Sequence, residues 1–160
     1  MNLMKRYSKL FVLLCYACYM TMVFFNNLND WQSNWMFVKG VMSCMDITTE
    51  AVEWRRIESM STQKLFYTLI IIFEGTTAFI LWIGVYKMLR SLRKSVEEHI
   101  ESKKMAVAGL TLMFLIFGMG FYVVGGEFFL SWQSMLFNSV GPGARNMSLA
   151  LVALIYISMD

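Results

Sequence analysis

An all-α membrane protein of four transmembrane helices, N-in/C-in, is the fold class this sequence predicts, on three observations. Apolar residues make up 58% of the chain, above the roughly 45–50% of soluble domains, and the mean hydropathy is +0.53. They are gathered into long blocks rather than spread over alternating faces. The Lys and Arg residues are concentrated in the N-terminal tail and in the segment between the second and third blocks. At 160 residues, a single domain over 1–160 is expected.

A hydrocarbon core takes about 20 apolar residues per helix. The first block, Leu10 to Phe25, ends at Asn26 and Asn27 and gives a span at about 8–26. Lys5, Arg6 and Lys9 lend it the look of a signal peptide. Asn26 to Asp30 lack a small-residue cleavage pattern, so an uncleaved helix is expected. The second block, Leu65 to Tyr86, has 22 residues and one charge, Glu74 (span about 64–88). The third, Met105 to Val124, has 20 residues and no charge (span about 104–127). The fourth, Met147 to Met159, is only 13 residues. To span, it must begin near Pro142, a residue suited to a first helical turn, giving about 142–159. That places Arg145 at the interface, where its stem can snorkel.

Orientation follows from Lys and Arg. The tail carries three basic residues and no acid, and the 89–103 region with its flanks holds Lys87, Arg90, Arg93, Lys94, Lys103 and Lys104. Both termini and this loop are therefore expected in the cytoplasm, with loops 27–63 and 128–141 outside. Trp31, Trp35, Trp54 and Trp132 fall in the outer loops, where aromatic residues favour headgroup depth. The expected location is a bacterial inner membrane.

The first outer loop is too long for a plain connector. Trp31, Trp35, Val38, Met42 and Met45 recur at three to four residues, predicting a short interfacial helix. Asp46 is expected to cap a second short helix through Glu50 and Glu53 to Ile57, and Ser61 to cap the second span. The cytoplasmic loop reads as extensions of its two neighbouring helices, with Glu97, Glu98 and Glu101 near Lys103 and Lys104. His99, the one histidine, is expected to be exposed.

Among polar residues, Glu74 comes first. An ionised side chain near the bilayer centre costs at least ~2.5–3.5 kcal/mol, so it should face the bundle. Tyr67, Ile71, Glu74 and Ala78 share a helix face with Thr77 beside them, while Phe66, Phe73, Phe79 and Ile80 point elsewhere. Two readings stand: a proton, cation or ligand site, or a neutral Glu hydrogen-bonded to a neighbouring helix as packing glue. On the third span, Gly109, Ile116, Gly120 and Glu127 fall on one face at 3.6 residues per turn. Glu127 is expected to pair with Arg145 or to cap nearby backbone. Gly125 to Ser134, reading Gly-Gly-Glu-Phe-Phe-Leu-Ser-Trp-Gln-Ser, sets a carboxylate, the Trp132 indole and the Gln133 amide at the outer surface, as ligand groups or as an interfacial anchor.

Several classes are excluded. A net charge of +3 without a basic stripe argues against nucleic acid. No His lies in a span, which excludes a bis-His haem. Cys15 and Cys18 have redox-motif spacing but lie inside an apolar run, as small residues on one face, and Cys44 has no obvious partner. The 15 methionines form no Met-x-x-Met series and read as adaptable apolar filling. No nucleophile–base pair, metal cluster or phosphate loop is present, so no cofactor and no metal site are expected.

The stretches Asn27-Leu28-Asn29-Asp30, Asn34 with Phe37-Val38, Met45-Asp46 and Trp54-Arg55, then Glu74 followed by Gly84, then Gly125 to Ser134 with Asn138, resemble a bacterial family of predicted small integral membrane proteins, domain of unknown function 2165. The resemblance covers nearly the whole chain. It implies a four-helix inner-membrane protein, brings no activity, and singles out Asn27, Asp30, Asp46, Glu74, Glu127, Trp132, Gln133 and Asn138. Where that family often has Trp after Gly-Gly-Glu, this chain has Phe128. The function expected is that of a structural or accessory subunit, lipid-embedded and packed against a larger membrane complex or its own copies. The alternative is an oligomeric carrier or pore for a small ion or solute using Glu74. An enzyme at the outer surface using Glu127 is a third reading.

Overall fold

The structure, a computed structural model, describes residues 2–159. Four helical runs are long and apolar enough to cross a membrane: Leu3–Asn29, Met60–Ser91, Val96–Phe128 and Val140–Ser158. The first is α1 (Leu3–Asn29), capped where the Asn2 side chain accepts from the Lys5 amide at 2.9 Å. Helix α2 (Trp31–Met42) follows after one residue, its first turn capped by Asp30. A short 3-10 helix covers Glu50–Arg55. Helix α3 (Met60–Ser91), of 32 residues, is the longest, about 48 Å at 1.5 Å per residue. Helix α4 (Val96–Ser102) starts with a Ser95/Glu98 capping box and runs through Lys103 into α5 (Lys104–Leu115). The chain continues in π-helical form over Ile116–Phe128, makes a short 3-10 turn at Ser131–Gln133, and ends with α6 (Val140–Ser158).

The four long helices form a ring in which α3 packs on α1 and α5, and α6 packs on α5 and the π-helical segment. Both described chain ends and α4 lie at one end of the ring (the terminal end). Helix α2, the 3-10 turn and the 129–139 loop lie at the other (the cap end). In the terminal half, Leu13, Ala17, Met20, Leu81, Met88, Leu110, Met113 and Ala150 have no exposure. Small residues set the spacing there. A Cβ on Gly84 would stand 2.9 Å from the Ala106 amide nitrogen, and one on Gly109 would stand 2.6 Å from Leu81 Cδ2. The thinner α1–α6 seam is latched by hydrogen bonds: Ser8 Oγ with Tyr156 Oη (2.7 Å), Tyr16 Oη to Leu149 O (2.8 Å) and Tyr19 Oη to Asn146 Oδ1 (2.9 Å). Such interhelical bonds are worth about 0.6–2 kcal/mol each in lipid.

The terminal end is closed by cations on helix carbonyls. The Arg6 guanidinium donates to Ser91 O (3.2 Å), Leu92 O (3.1 Å) and Lys94 O (2.7 Å), the carbonyls a helix C-terminus leaves unpaired. Lys9 donates to Ile157 O and Met159 O, and Lys103 to Met159 O. Under this lid His99 is wholly buried, contrary to its expected exposure. Both neighbouring helices extend into this loop, α3 to Ser91 and α5 back through α4, and the tight turn between them packs α4 on the end of α3. The chain thus turns the His99/Ser102 face inward, where Ser91 Oγ meets His99 Nδ1 at 2.7 Å and Ser102 Oγ at 2.8 Å.

The cap has its own core of Val41, Met42, Cys44, Ile47, Val52 and Phe129. Two non-glycine residues there have left-handed backbone, Cys44 (φ 48°) and Leu130 (φ 53°), at a cost of about 1–2 kcal/mol each. Helix α2 ends at Met42 ahead of the left-handed Cys44, three residues short of Met45, where the apolar periodicity places its end. Of that periodic face, Trp31, Trp35 and Val38 cluster with Tyr67 and Ile71 of α3.

Two capping expectations are corrected. Asp46 does not start the second short helix: that turn begins after Thr49, and Asp46 instead accepts from the Met135 and Leu136 amides of the other loop. The second span is capped by Ser59, whose hydroxyl accepts from the Thr62 amide. Ser61 already lies inside the first turn.

Candidate functional site

The terminal halves of α3 and α5 are drawn together by Gly84 and Gly109, but α3 and the π-helical segment touch little. The space between them at the cap end holds two adjoining cavities. A π-helix is wider than an α-helix and usually lasts one turn, commonly at functional sites. Here it runs for 13 residues, eased by four glycines, and the Phe129 amide bonds Val124 O five residues back at 3.0 Å. Helix α6 approaches this widened backbone closely. A Cβ on Gly125 would lie 2.4 Å from Ser139 Oγ, and one on Gly143 2.9 Å from the Tyr122 amide nitrogen. Ser139 Oγ donates to Phe121 O (2.7 Å) and shares a 2.7 Å bond with Ser131 Oγ, so both hydroxyls are spent on holding backbone.

The larger cavity, about 380 Å³, has almost wholly apolar walls, from Phe37, Val38 and Met42 to Ile70, Gly120 and Val124. Sealed and dry, such a void would cost on the order of 9 kcal/mol at ~24 cal/mol per Å³. It is not sealed. Phe66, Val124 and Phe128 of its wall are exposed on the flank of the bundle, where hydrocarbon surrounds a membrane protein. The smaller cavity, about 170 Å³, lies deeper and is polar in part, lined by Tyr19, Asn27, Asn34, Tyr67 and Glu74. Phe37, Val38, Ile70 and Phe121 line both.

Glu74 forms the floor. It lies 14 residues into α3, about 21 Å along its axis, and is 1% exposed. Its partners on the shared face, Tyr67, Ile71, Thr77 and Ala78, are buried with it, and Phe66, Phe73 and Phe79 are exposed, as the periodicity requires. Asn27 Nδ2 donates to Glu74 Oε2 at 2.6 Å. Tyr67 Oη in turn donates to Asn27 O (3.1 Å) and lies 3.3 Å from Asn27 Oδ1. Trp31 packs edge-on against the Tyr67 ring at 4.6 Å, fixing it from α2. Among the described residues, Glu74 Oε1 receives no hydrogen bond and no cation pairs with the carboxylate.

The other sequence-selected residues serve the frame. Asp46 Oδ2 joins the two cap loops through the Met135 (2.9 Å) and Leu136 (3.1 Å) amides. The Ser134 hydroxyl, with those amides, holds its carboxyl below its ordinary range. Asp30 caps α2 through the Ser33 amide, and Asn138 Oδ1 accepts from Val140 N at the start of α6. Trp132 and Gln133 are exposed, and among the described residues neither side chain makes a hydrogen bond.

The Glu127–Arg145 pair is not formed: both are exposed, and no described ion pair joins them. The π-helical turns rotate residues 116–128 away from α-helical positions, so Gly109 is buried while Glu127 is exposed and Gly120 borders the open cavity. The cation at this corner is Arg55, whose position in the sequence gave no sign of it. It donates to Phe128 O (2.9 Å) and lies over the Trp54 (5.0 Å) and Phe128 (5.6 Å) rings. Tyr19 and Asn146 were also missed. Asn146 shares a buried face with Ala150, Ala153 and Ile157, a periodicity that marks it in hindsight.

No curated protein and no solved structure matches the chain. A family model described as "Predicted small integral membrane protein (DUF2165)" matches residues 5–160. With four apolar helices long enough to span a bilayer, the chain belongs to this family of small integral membrane proteins.

Proposed function

We propose that this protein is an accessory component of the membrane that seats an apolar or amphipathic guest in the cap-end half of its bundle, with Glu74 and Asn27 at the polar end of the seat. The observation that carries this reading is the pair of adjoining cavities, one apolar and open on the flank, the other ending on Glu74. Together they fall in the ~300–1,000 Å³ range of small-molecule sites, which join apolar walls to a few placed polar groups. The test is mass spectrometry of organic molecules retained by protein purified in mild detergent, for the wild type and for Gly120→Leu. Gly120 lines the open side of the apolar cavity and nothing lies within 4 Å of a Cβ added there, so a leucine is accommodated at the cavity's mouth and narrows it. Retention by the wild type and loss in the variant support the seat; equal retention, or none by either, refutes it.

The carrier reading keeps Glu74, because its carboxylate lies buried midway along α3 with one oxygen unpartnered. Against it stands the packed terminal half, which gives a single chain one entrance rather than two. A carrier would have to open that half within an oligomer or a larger complex. Uptake into vesicles that is abolished by Glu74→Gln, with expression intact, would favour it over the seat.

The Lys and Arg residues at the terminal end support a reading in which that end lies in the cytoplasm and the cap outside, in the inner membrane of a bacterium. A fluorescent protein joined at the C-terminus, bright only if cytoplasmic, tests the orientation.

A further inference from the structure

We propose that the guest is a single-chain amphiphile with a cationic amine head and no anionic group, its chain in the apolar cavity and its ammonium on Glu74. This rests on the seat proposed above and adds the chemical class of its occupant.

Shape and charge complementarity select this occupant. The apolar cavity opens between Phe66 on α3 and Val124 and Phe128 on the π-helical segment, all exposed on the lipid-facing flank. A chain already dissolved in the bilayer can enter there without crossing water. The far end of the seat is a carboxyl group, 1% exposed, whose Oε2 is held by Asn27 and whose Oε1 receives no hydrogen bond among the described residues. No described Lys or Arg pairs with it. A buried carboxylate needs a donor and a counter-charge. Here an ammonium supplies both through one charge-assisted hydrogen bond, shorter and stronger than a neutral one. Around it the Tyr19, Asn27, Asn34 and Tyr67 side chains line a chamber of about 170 Å³, room for a small head. A fatty acid or phosphodiester head would set a second negative charge beside Glu74, so those lipids are rejected by the same group that holds an amine.

The experiment measures binding of radiolabelled dodecylamine, dodecanol and dodecanoate to protein in phosphatidylcholine nanodiscs, with empty nanodiscs subtracted for partitioning. The wild type is expected to bind dodecylamine saturably, roughly tenfold more tightly than dodecanol, and dodecanoate not at all. Glu74→Gln keeps an acceptor for Asn27 and is expected to bring dodecylamine down to the dodecanol level while leaving dodecanol unchanged. Gly120→Leu is expected to weaken both. The wild-type ranking needs no variant, so it decides the matter even if Glu74→Gln fails to fold. Dodecanoate or dodecanol binding as tightly as the amine, or a folded Glu74→Gln that still prefers the amine, overturns the head-group assignment and leaves the seat standing. Saturable binding of no probe overturns both.

Discussion

Replacing Gly84 and Gly120 by alanine, one at a time, probes the packing gradient that creates the cavities. At Gly84 the new methyl would lie 2.9 Å from the Ala106 nitrogen and 3.0 Å from its Cα. These are backbone atoms that cannot rotate away, so α3 and α5 must move apart along a seam where Leu81, Met88 and Leu110 have no free space. Overpacking of this kind costs about 1–3 kcal/mol. At Gly120 nothing lies within 4 Å of the added carbon, and alanine gains up to ~1 kcal/mol of helical propensity over glycine. Thermal unfolding of detergent-solubilised protein reads the difference. At about 2–4 °C per kcal/mol for a chain of this size, Gly84→Ala, which has the same propensity gain to set against its clash, should lower the midpoint by up to roughly 12 °C, while Gly120→Ala leaves it unchanged or raised. Equal effects at the two sites would refute a tight terminal half facing an open cap half.

Three further outcomes follow from named contacts. Asp46→Ala removes the acceptor of two amides in the opposite loop. At about 1 kcal/mol per exposed bond, a loss near 2 kcal/mol is expected, with faster hydrogen exchange confined to residues 134–139 and the 43–57 segment. Because the Asp46 carboxyl titrates below its ordinary 3.8 when folded, its contribution is complete above that pH and fades as acid protonates it. His99 is buried, with its Nδ1 2.7 Å from Ser91 Oγ at the closed terminal end. His99→Leu fills the same space without a partner for the Ser91 hydroxyl and should lower stability by about 1–3 kcal/mol in thermal unfolding; an unchanged midpoint would show that the buried bond contributes nothing. The double-mutant cycle of Glu127→Ala and Arg145→Ala should give a coupling within ~0.3–0.5 kcal/mol, the range of independent sites; a larger value would restore the pair.

The four spans and the buried face of α3 were legible because each is a local periodicity, and lipid forces apolar residues into runs that no loop could tolerate. Glu74 was legible for the same reason, being the one charge in its block. What could not be read were features set by contact between distant segments. His99 looked like a charged-loop residue because its burial depends on where α3 stops and on Arg6, about ninety positions away in sequence, reaching the freed carbonyls. Asp46 has the sequence context of a helix cap, and only the return of the 134–137 loop shows what it binds. The Gly125-Gly126 pair was visible, but the π-helical winding it permits was not. Every facial argument past Ile116 used 3.6 residues per turn and so misplaced Gly120 and Glu127. Arg55 fell among ordinary loop charges, since its ring partner Phe128 lies on another segment.

The most direct measurement is an experimental density map of the wild-type protein in a lipid nanodisc. Elongated non-protein density is expected to enter between Phe66 and Gly120, run past Ile70 and end within hydrogen-bond distance of Glu74. A map in which α3 closes against the 116–128 segment, with Phe121 and Ile70 filling the space above Glu74, would contradict it.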